Sequence, residues 1–310
     1  MRLLLALVVA LVAACAPKPP PPTETTMPAA LMTWPDLLNR PRPAPTQRVT
    51  YGPAATDVAD LWLPEGAGPF PVVLMVHGGC WQKSFADHTI MDWAAAALRA
   101  DGIAVWNIEY RGVDEAGGGY PGTFLDAARA ADALRDNGAQ YHLKTDRVVA
   151  FGHSAGGHLA LWLAARPRLP ASSPLAAANP LRITAVVNSG GLADLKASAP
   201  VTEPECLASI MDQLTGQPDR RRPDVFADTS PAELLPLGVH QVSVNGDLDR
   251  IAPPVLGQGY TRRAAAAGDA AEAVIVAHTG HVELISPGTA AFAVAIAHIR
   301  ELLGLPAHAP

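Results

Sequence analysis

The chain has 310 residues, 49% of them hydrophobic, enough for one large domain whose core needs no disulfide staples. Its formal net charge of -6 argues against a nucleic-acid partner, because phosphate binding wants a basic face. The three cysteines have no metal-type spacing.

Residues 1–15 read MRLLLALVVALVAAC: one basic residue, an unbroken apolar run, small residues, then cysteine. The run is too short to span a bilayer as a stable helix and reads as an export signal. Val12, Ala13, Ala14 and Cys15 resemble a bacterial lipobox, which implies lipidation of Cys15. Alanine rather than aspartate after that cysteine implies, by the same resemblance, the outer membrane. The expectation is an exported protein that touches the cell envelope through this lipid anchor alone. Residues 16–45 are dominated by proline and read as an extended stalk, except that Trp34, Leu37 and Leu38 suit a short helix docked on the domain. The domain itself is expected to run over 46–310. Cys80 and Cys206 lie within it. An exported protein can oxidise such a pair, but a buried thiol is the default for each, and the sequence leaves their pairing open.

Val58–Leu63 alternates as an early strand, and Val72–Val76 is a continuous apolar run of the kind buried on both faces. It ends in His77, Gly78, Gly79, Cys80 and Trp81. A helix over 86–101 is closed by Gly102, and Ile103–Ile108 is the next buried strand. A helix from Thr123 to Asn137 precedes Val148–Phe151, which runs directly into Gly152, His153, Ser154, Ala155 and Gly156 and then into an apolar helix. Ile183–Asn188 is a strand, and 192–235 is irregular with a short helix at Leu207–Leu214. The Arg220–Arg222 run reads as a solvated loop. Gln241–Asn245 and Ala273–Ala277 are strands, each followed by a helix, at Val255–Ala267 and Gly288–Leu303. Strands alternating with helices predict an α/β fold: a mostly parallel sheet covered on both faces, with its ligand crevice at the carboxyl ends of the strands.

Strand, GxSxG, helix is the context in which a serine stands on a sharp turn with its hydroxyl exposed, which makes Ser154 a candidate nucleophile. A serine hydroxyl needs a base, and the base an orienting acid. The acid candidates follow Gln241–Asn245: Asp249, with Asp247 as competitor. The base candidates follow the last strand: His281, which stands on the loop after Gly280, and His278. Reading His278, His281 and Glu283 as metal ligands is disfavoured, since the spacing is poor for zinc and no helix carries it. Backbone amides of Gly78 or Gly79, with that of Ala155, are candidate oxyanion donors.

HGGCW at His77–Trp81, NIEYR at Asn107–Arg111 and GHSAGGHLA at Gly152–Ala160 resemble the esterase/lipase superfamily of α/β-hydrolases, in the branch holding kynurenine formamidases and feruloyl-esterase-like carboxylesterases. Asp249 stands three residues past Gly246 and four before Pro253, similar to the GxxDxxxP loop of many such enzymes. The resemblance implies acyl transfer to water by Ser154, His281 and Asp249 on a small-molecule ester, with no metal or cofactor. It assigns Glu109, Arg111 and Asp126 to bracing the fold. Segment 192–235, with Trp81, is expected to cap the acyl pocket. An arylformamidase on the same triad is the alternative enzyme, disfavoured by the export signal; an inactive envelope binding module is the alternative of another class.

Overall fold

Successive strand residues point to opposite faces of a sheet, so runs that are apolar at every position must be covered on both sides. The computed structural model describes residues 30–204 and 206–306. It joins eight strands into one sheet: β1 (Gln47–Thr50), β2 (Val58–Trp62), β3 (Phe70–Val76), β4 (Ala104–Ile108), β5 (Leu143–His153), β6 (Ala185–Ser189), β7 (His240–Gly246) and β8 (Ala271–Val276). The order across the sheet is β1-β2-β4-β3-β5-β6-β7-β8. β1, β2 and β4 pair antiparallel, and every other pairing is parallel.

The alternation of side chains separates two cores. Val72, Leu74 and Val76 of β3 belong to the core that also holds buried residues of α3 (Gly122–Asn137), α4 (Ala155–Ala165) and α7 (Pro254–Ala266). Val73 and Met75 face α2 (Asp92–Ala100) and α8 (Ala290–Leu302). α4 is buried at every residue, as a helix that is apolar all round must be. These parallel connections put every strand-to-helix loop of β3 to β8 at one edge of the sheet.

The predicted parallel strands and their helices are present, with boundaries shifted by a few residues. The helix expected over 86–101 divides into a 3₁₀ turn at His88–Met91 and α2, and Gly102 closes it at φ +77°. β1 had no apolar alternation to reveal it; Val49 is its one buried residue. Arg222 departs from the solvated-loop expectation, since its guanidinium lies 3.7 Å from the centre of the Tyr120 ring and pairs with buried Asp228.

Export signal and Cys15 lie outside the described residues. The expected short helix at Trp34–Leu38 is present and docked, and the rest of 30–45, expected as stalk, also lies along the domain. α1 (Trp34–Leu38) buries Leu37 completely among Trp62, Trp93 and Phe292. Met32 N–H donates to Glu283 (2.5 Å), Trp93 Nε1 to the Pro41 carbonyl (3.1 Å) and Arg99 to that of Ala44 (3.1 Å). Proline fixes an extended backbone but does not prevent it from packing.

Cys80 and Cys206, left open above, form a disulfide across a sequence separation of 126 residues. It ties the loop after β3 to the irregular segment between β6 and β7. Cross-linking across so long a loop restricts mainly the unfolded chain. Reduction, or the Cys80→Ala/Cys206→Ala pair, is expected to lower unfolding free energy by about 2–5 kcal/mol; urea titration of oxidised and reduced protein measures it.

Candidate active site

β5 ends at His153 and α4 begins at Ala155, so the whole change of direction falls on Ser154, at φ 55° and ψ -122°. Such a backbone costs a non-glycine residue about 1–3 kcal/mol and persists only where its surroundings dictate it. Here the Ser154 N–H donates to the Ser189 carbonyl at 3.0 Å. The glycines either side permit the close approach. A Cβ on Gly156 would lie 2.2 Å from the Val76 oxygen, and one on Gly152 would lie 2.1 Å from the Gly156 oxygen.

The loop after β7 presents Asp249, 4% exposed, and the loop after β8 presents His281. His281 Nδ1 donates to Asp249 Oδ2 at 2.7 Å, while the N–H groups of Ile251 and Ala252 donate to Oδ1, both at 2.9 Å. Burial alone would raise the pKa of this carboxyl. The His281 ring and the two amides outweigh it and hold Asp249 below the usual carboxylate range. Asp247 is exposed and accepts the Thr279 N–H (3.1 Å), bracing the neighbouring loop. His278 is exposed too. Glu283 carries no ligand-like role: its two oxygens take the N–H groups of Met32 and Gly280, fastening the N-terminal arm to the His281 loop.

With Nδ1 given to Asp249, the other nitrogen of His281 is free to act as a base. His281 and Ser154 line one cavity of about 400 Å³, with Trp34, Gly79, Phe85 and Ile251 among its other walls. A second cavity, of about 440 Å³, lies at Tyr120, Ser173 and Arg222 and includes none of these groups.

Behind His281 stands His153, its ring centre 4.4 Å away and its Nε2 3.1 Å from the His281 carbonyl, to which it donates. Burial, then the proximity of His281, lowers its pKa to about 3, so it stays neutral.

The loop after β3 holds Gly78 and Gly79. His77 Nδ1 lies 2.7 Å from the Gly78 carbonyl, and its Nε2 2.9 Å from Glu109 Oε1. In a planar trans peptide the Gly79 N–H points opposite to that carbonyl, away from the His77 ring. Gly79 lines the cavity. A Cβ on Gly78 would come within 3.1 Å of the Ser154 Cβ. Ala155 is the first residue of α4, where an amide has no partner within its helix.

Glu109 is the hub behind this loop. Its oxygens also meet Lys83, the Tyr110 N–H (2.9 Å) and His88 Nδ1 (2.7 Å), and His88 Nε2 meets Asp60 at 3.0 Å. Burial would raise the Glu109 pKa, but His77 and His88 push it far down. Burial would likewise lower that of His88, yet Asp60 and Glu109 raise it to about 9. The resemblance placed Glu109, Arg111 and Asp126 in the frame of the fold, and Arg111 does clamp Asp126 through Nε (2.6 Å) and Nη2 (2.8 Å).

Two expectations change. Trp81 is fully buried, donates to His158 Nδ1 (3.3 Å) and does not line the cavity. Segment 192–235 reaches it only through Glu203 and Cys206 among the described residues. Trp34, expected in a short helix docked on the domain, packs edge-on at 6.4 Å from His281 and 6.2 Å from His153. No local pattern announces that contact, beyond an aromatic residue in an otherwise proline-rich stretch.

Residues 59–254 match the BD-FAE family model. A stretch of 116 residues is 30% identical to a probable isoprenylcysteine alpha-carbonyl methylesterase of Arabidopsis thaliana, covering 36% of this chain. The match spans only 23% of that protein's length. Similar solved structures include a truncated carbohydrate esterase from gut microbiota, with a TM-score of 0.67 at 20% identity over 85% of this chain and 100% of that one. Esterase B of Lactobacillus rhamnosis superposes with a TM-score of 0.69 at 18% identity, over 84% of this chain and 87% of its own. A bacterial heroin esterase does so with 0.64 at 22% identity, over 79% of each chain.

Because the folded-state pKa of His88 is raised, its contribution to stability is fully present below about pH 6.5 and is lost as pH rises through about 9. Melting temperature is therefore expected to fall across that window. In His88→Gln the fall should flatten, and calorimetry at stepped pH reads both.

Proposed function

We propose that this chain, which belongs to the BD-FAE family, hydrolyses carboxylic esters by a reaction carried by Ser154, His281 and Asp249 through an acyl-enzyme. Ser154 Oγ attacks the ester carbonyl while His281 takes its proton, and Asp249 holds the imidazole in the working tautomer. Amides of Gly79 and Ala155, with Gly78 beside them, stabilise the tetrahedral oxyanion. His281 returns the proton to the departing alcohol, leaving Ser154 esterified. Water, deprotonated by His281, attacks that acyl group, and the second oxyanion collapses to release the acid while His281 returns the proton to Ser154 Oγ.

The observation that carries the proposal is the 2.7 Å bond from His281 to buried Asp249, on the wall of the cavity that Ser154 also lines. The strained backbone at Ser154 adds to it, since strain of this kind collects at reacting groups. The lipobox at Cys15 supports a further part of the proposal: lipid attachment to the bacterial envelope, with the outer membrane as destination.

Ser154→Ala and Asp249→Asn should each cut kcat on p-nitrophenyl butyrate by about 10⁴-fold or more, with circular dichroism unchanged. Turnover by Ser154→Ala equal to the parent's would end the proposal. N-formylkynurenine run beside the ester separates an arylformamidase, which would prefer it.

A further inference from the structure

Single apolar side chains on a surface are ordinary, but their concentration on one face is informative. Among the described residues, seven large hydrophobic side chains are more than a third exposed: Leu31, Leu38, Phe85, Val201, Leu248, Val255 and Ile275. Only Ile275 lies on a strand, β8 at the sheet's edge. The other six lie on the N-terminal arm, or on or beside the loops that supply the walls of the cavity. Leu38 and Phe85 line it directly, and Phe85 is 59% exposed. Leu31 approaches Gly280, next to His281, near enough that a Cβ there would sit 3.4 Å from its Cδ1. Leu248 adjoins Asp249, and Val255 lies in the first turn of α7, at the end of the same loop. Val201 precedes Thr202, whose hydroxyl donates to the Ile251 carbonyl at 2.5 Å.

We propose that this apolar rim seats the mouth of the cavity on a lipid–water interface, so that the enzyme draws its esters from aggregated or membrane-borne amphiphiles. The inference rests on the catalytic reading above and names where its substrate is found. Two observations choose a lipid surface over another occupant. First, the N-terminal arm reaches the domain at the rim itself, contributing Leu31 and Leu38. Fourteen residues separate Cys15 from Ala30, a length that spans at most about 50 Å fully extended. An anchor at Cys15 therefore keeps the rim beside the membrane at high effective concentration, where a weak affinity suffices. Second, the charges on these loops are mixed, with exposed Glu203, Asp247 and Arg250. That selects for apolar surface rather than for an anionic headgroup.

Tributyrin tests this, because one molecule is presented first in solution and then, beyond its solubility limit, as an interface. Parent and Val201→Ser/Leu248→Ser/Val255→Ser proteins are compared as full chains carrying Cys15→Ala, so that acylation contributes to neither. The parent rate should climb steeply past the limit. The triple variant should match it on dissolved ester and fall roughly tenfold below it on emulsion. Sedimentation with phosphatidylcholine vesicles should weaken by a similar factor. A parent rate that saturates smoothly through the limit, or a variant that keeps the climb, overturns the proposal. So does an ultracentrifuge result in which the parent is a dimer that the triple variant breaks while vesicle binding is unchanged. Absence of turnover on dissolved ester by the parent is failure of the catalytic reading instead, and the vesicle arm, which needs no turnover, still decides the docking.

Discussion

The turn at Ser154 is the constraint on which the rest of the structure depends. A strand in the middle of an eight-stranded sheet must reverse into a fully buried helix within one residue. A larger residue at Gly156 would drive into the backbone oxygens of Val76 and His77, at 2.2 and 2.3 Å. Because that contact is with the end of β3, the close approach that turns the chain also brings the Gly78–Gly79 loop against Ser154. The strained turn and the proposed oxyanion site are therefore one packing solution. Its cost, of the order of 1–3 kcal/mol, is small against the burial of α4 and its flanking strands.

Charge is handled on the opposite principle. Buried ionic groups are expensive unless every one is paired. The Glu109 carboxylate meets His77, His88 and Lys83, and His88 continues the network to Asp60, which takes Arg48 at 2.7 Å. His77 thereby has a fixed ring, and its bond to the Gly78 carbonyl fixes the peptide next to it. The Tyr110 hydroxyl donates to the His77 carbonyl at 2.8 Å while its ring stacks on the imidazole, at 4.1 Å between centres. The loop proposed to present amides to a developing charge is thus held from behind by side chains that do not line the cavity.

Much of this was legible because the signals are local. Runs such as VVLMV and a GxSxG between strand and helix carry their own context, and they yielded the parallel sheet, the covering helices and the place of Ser154. Asp249 was separable from Asp247 by spacing, and the structure gives the physical difference: one is buried against His281, the other exposed. What the sequence withheld is contact between distant segments. Nothing near Trp34 says that it reaches His281, and Glu283 meets Met32 across 251 residues. The pairing of Cys80 with Cys206 likewise depends on two loops meeting. Trp81 misled because HGGCW looks continuous, yet its backbone at Cys80 and Trp81 turns through positive φ, 52° and 54°, and sends the indole into the core.

These distant contacts bear on why His281 rather than His153 is the base in the proposed reaction. His153 and His281 lie ring against ring, and in the proposed reaction one imidazole must become cationic beside the other. Two cations 4.4 Å apart in a largely buried site would oppose each other strongly. The structure avoids this by treating the two rings differently. His153 is fully enclosed, has no carboxylate hydrogen-bond partner among the described residues, and is kept neutral with a pKa of about 3. His281 has Asp249 behind it and the cavity in front. In the proposed reaction the proton from Ser154 goes to the ring that has Asp249 beside it and shares the cavity with the serine. Its neighbour, through a neutral bond to the His281 carbonyl, holds that ring's backbone in place.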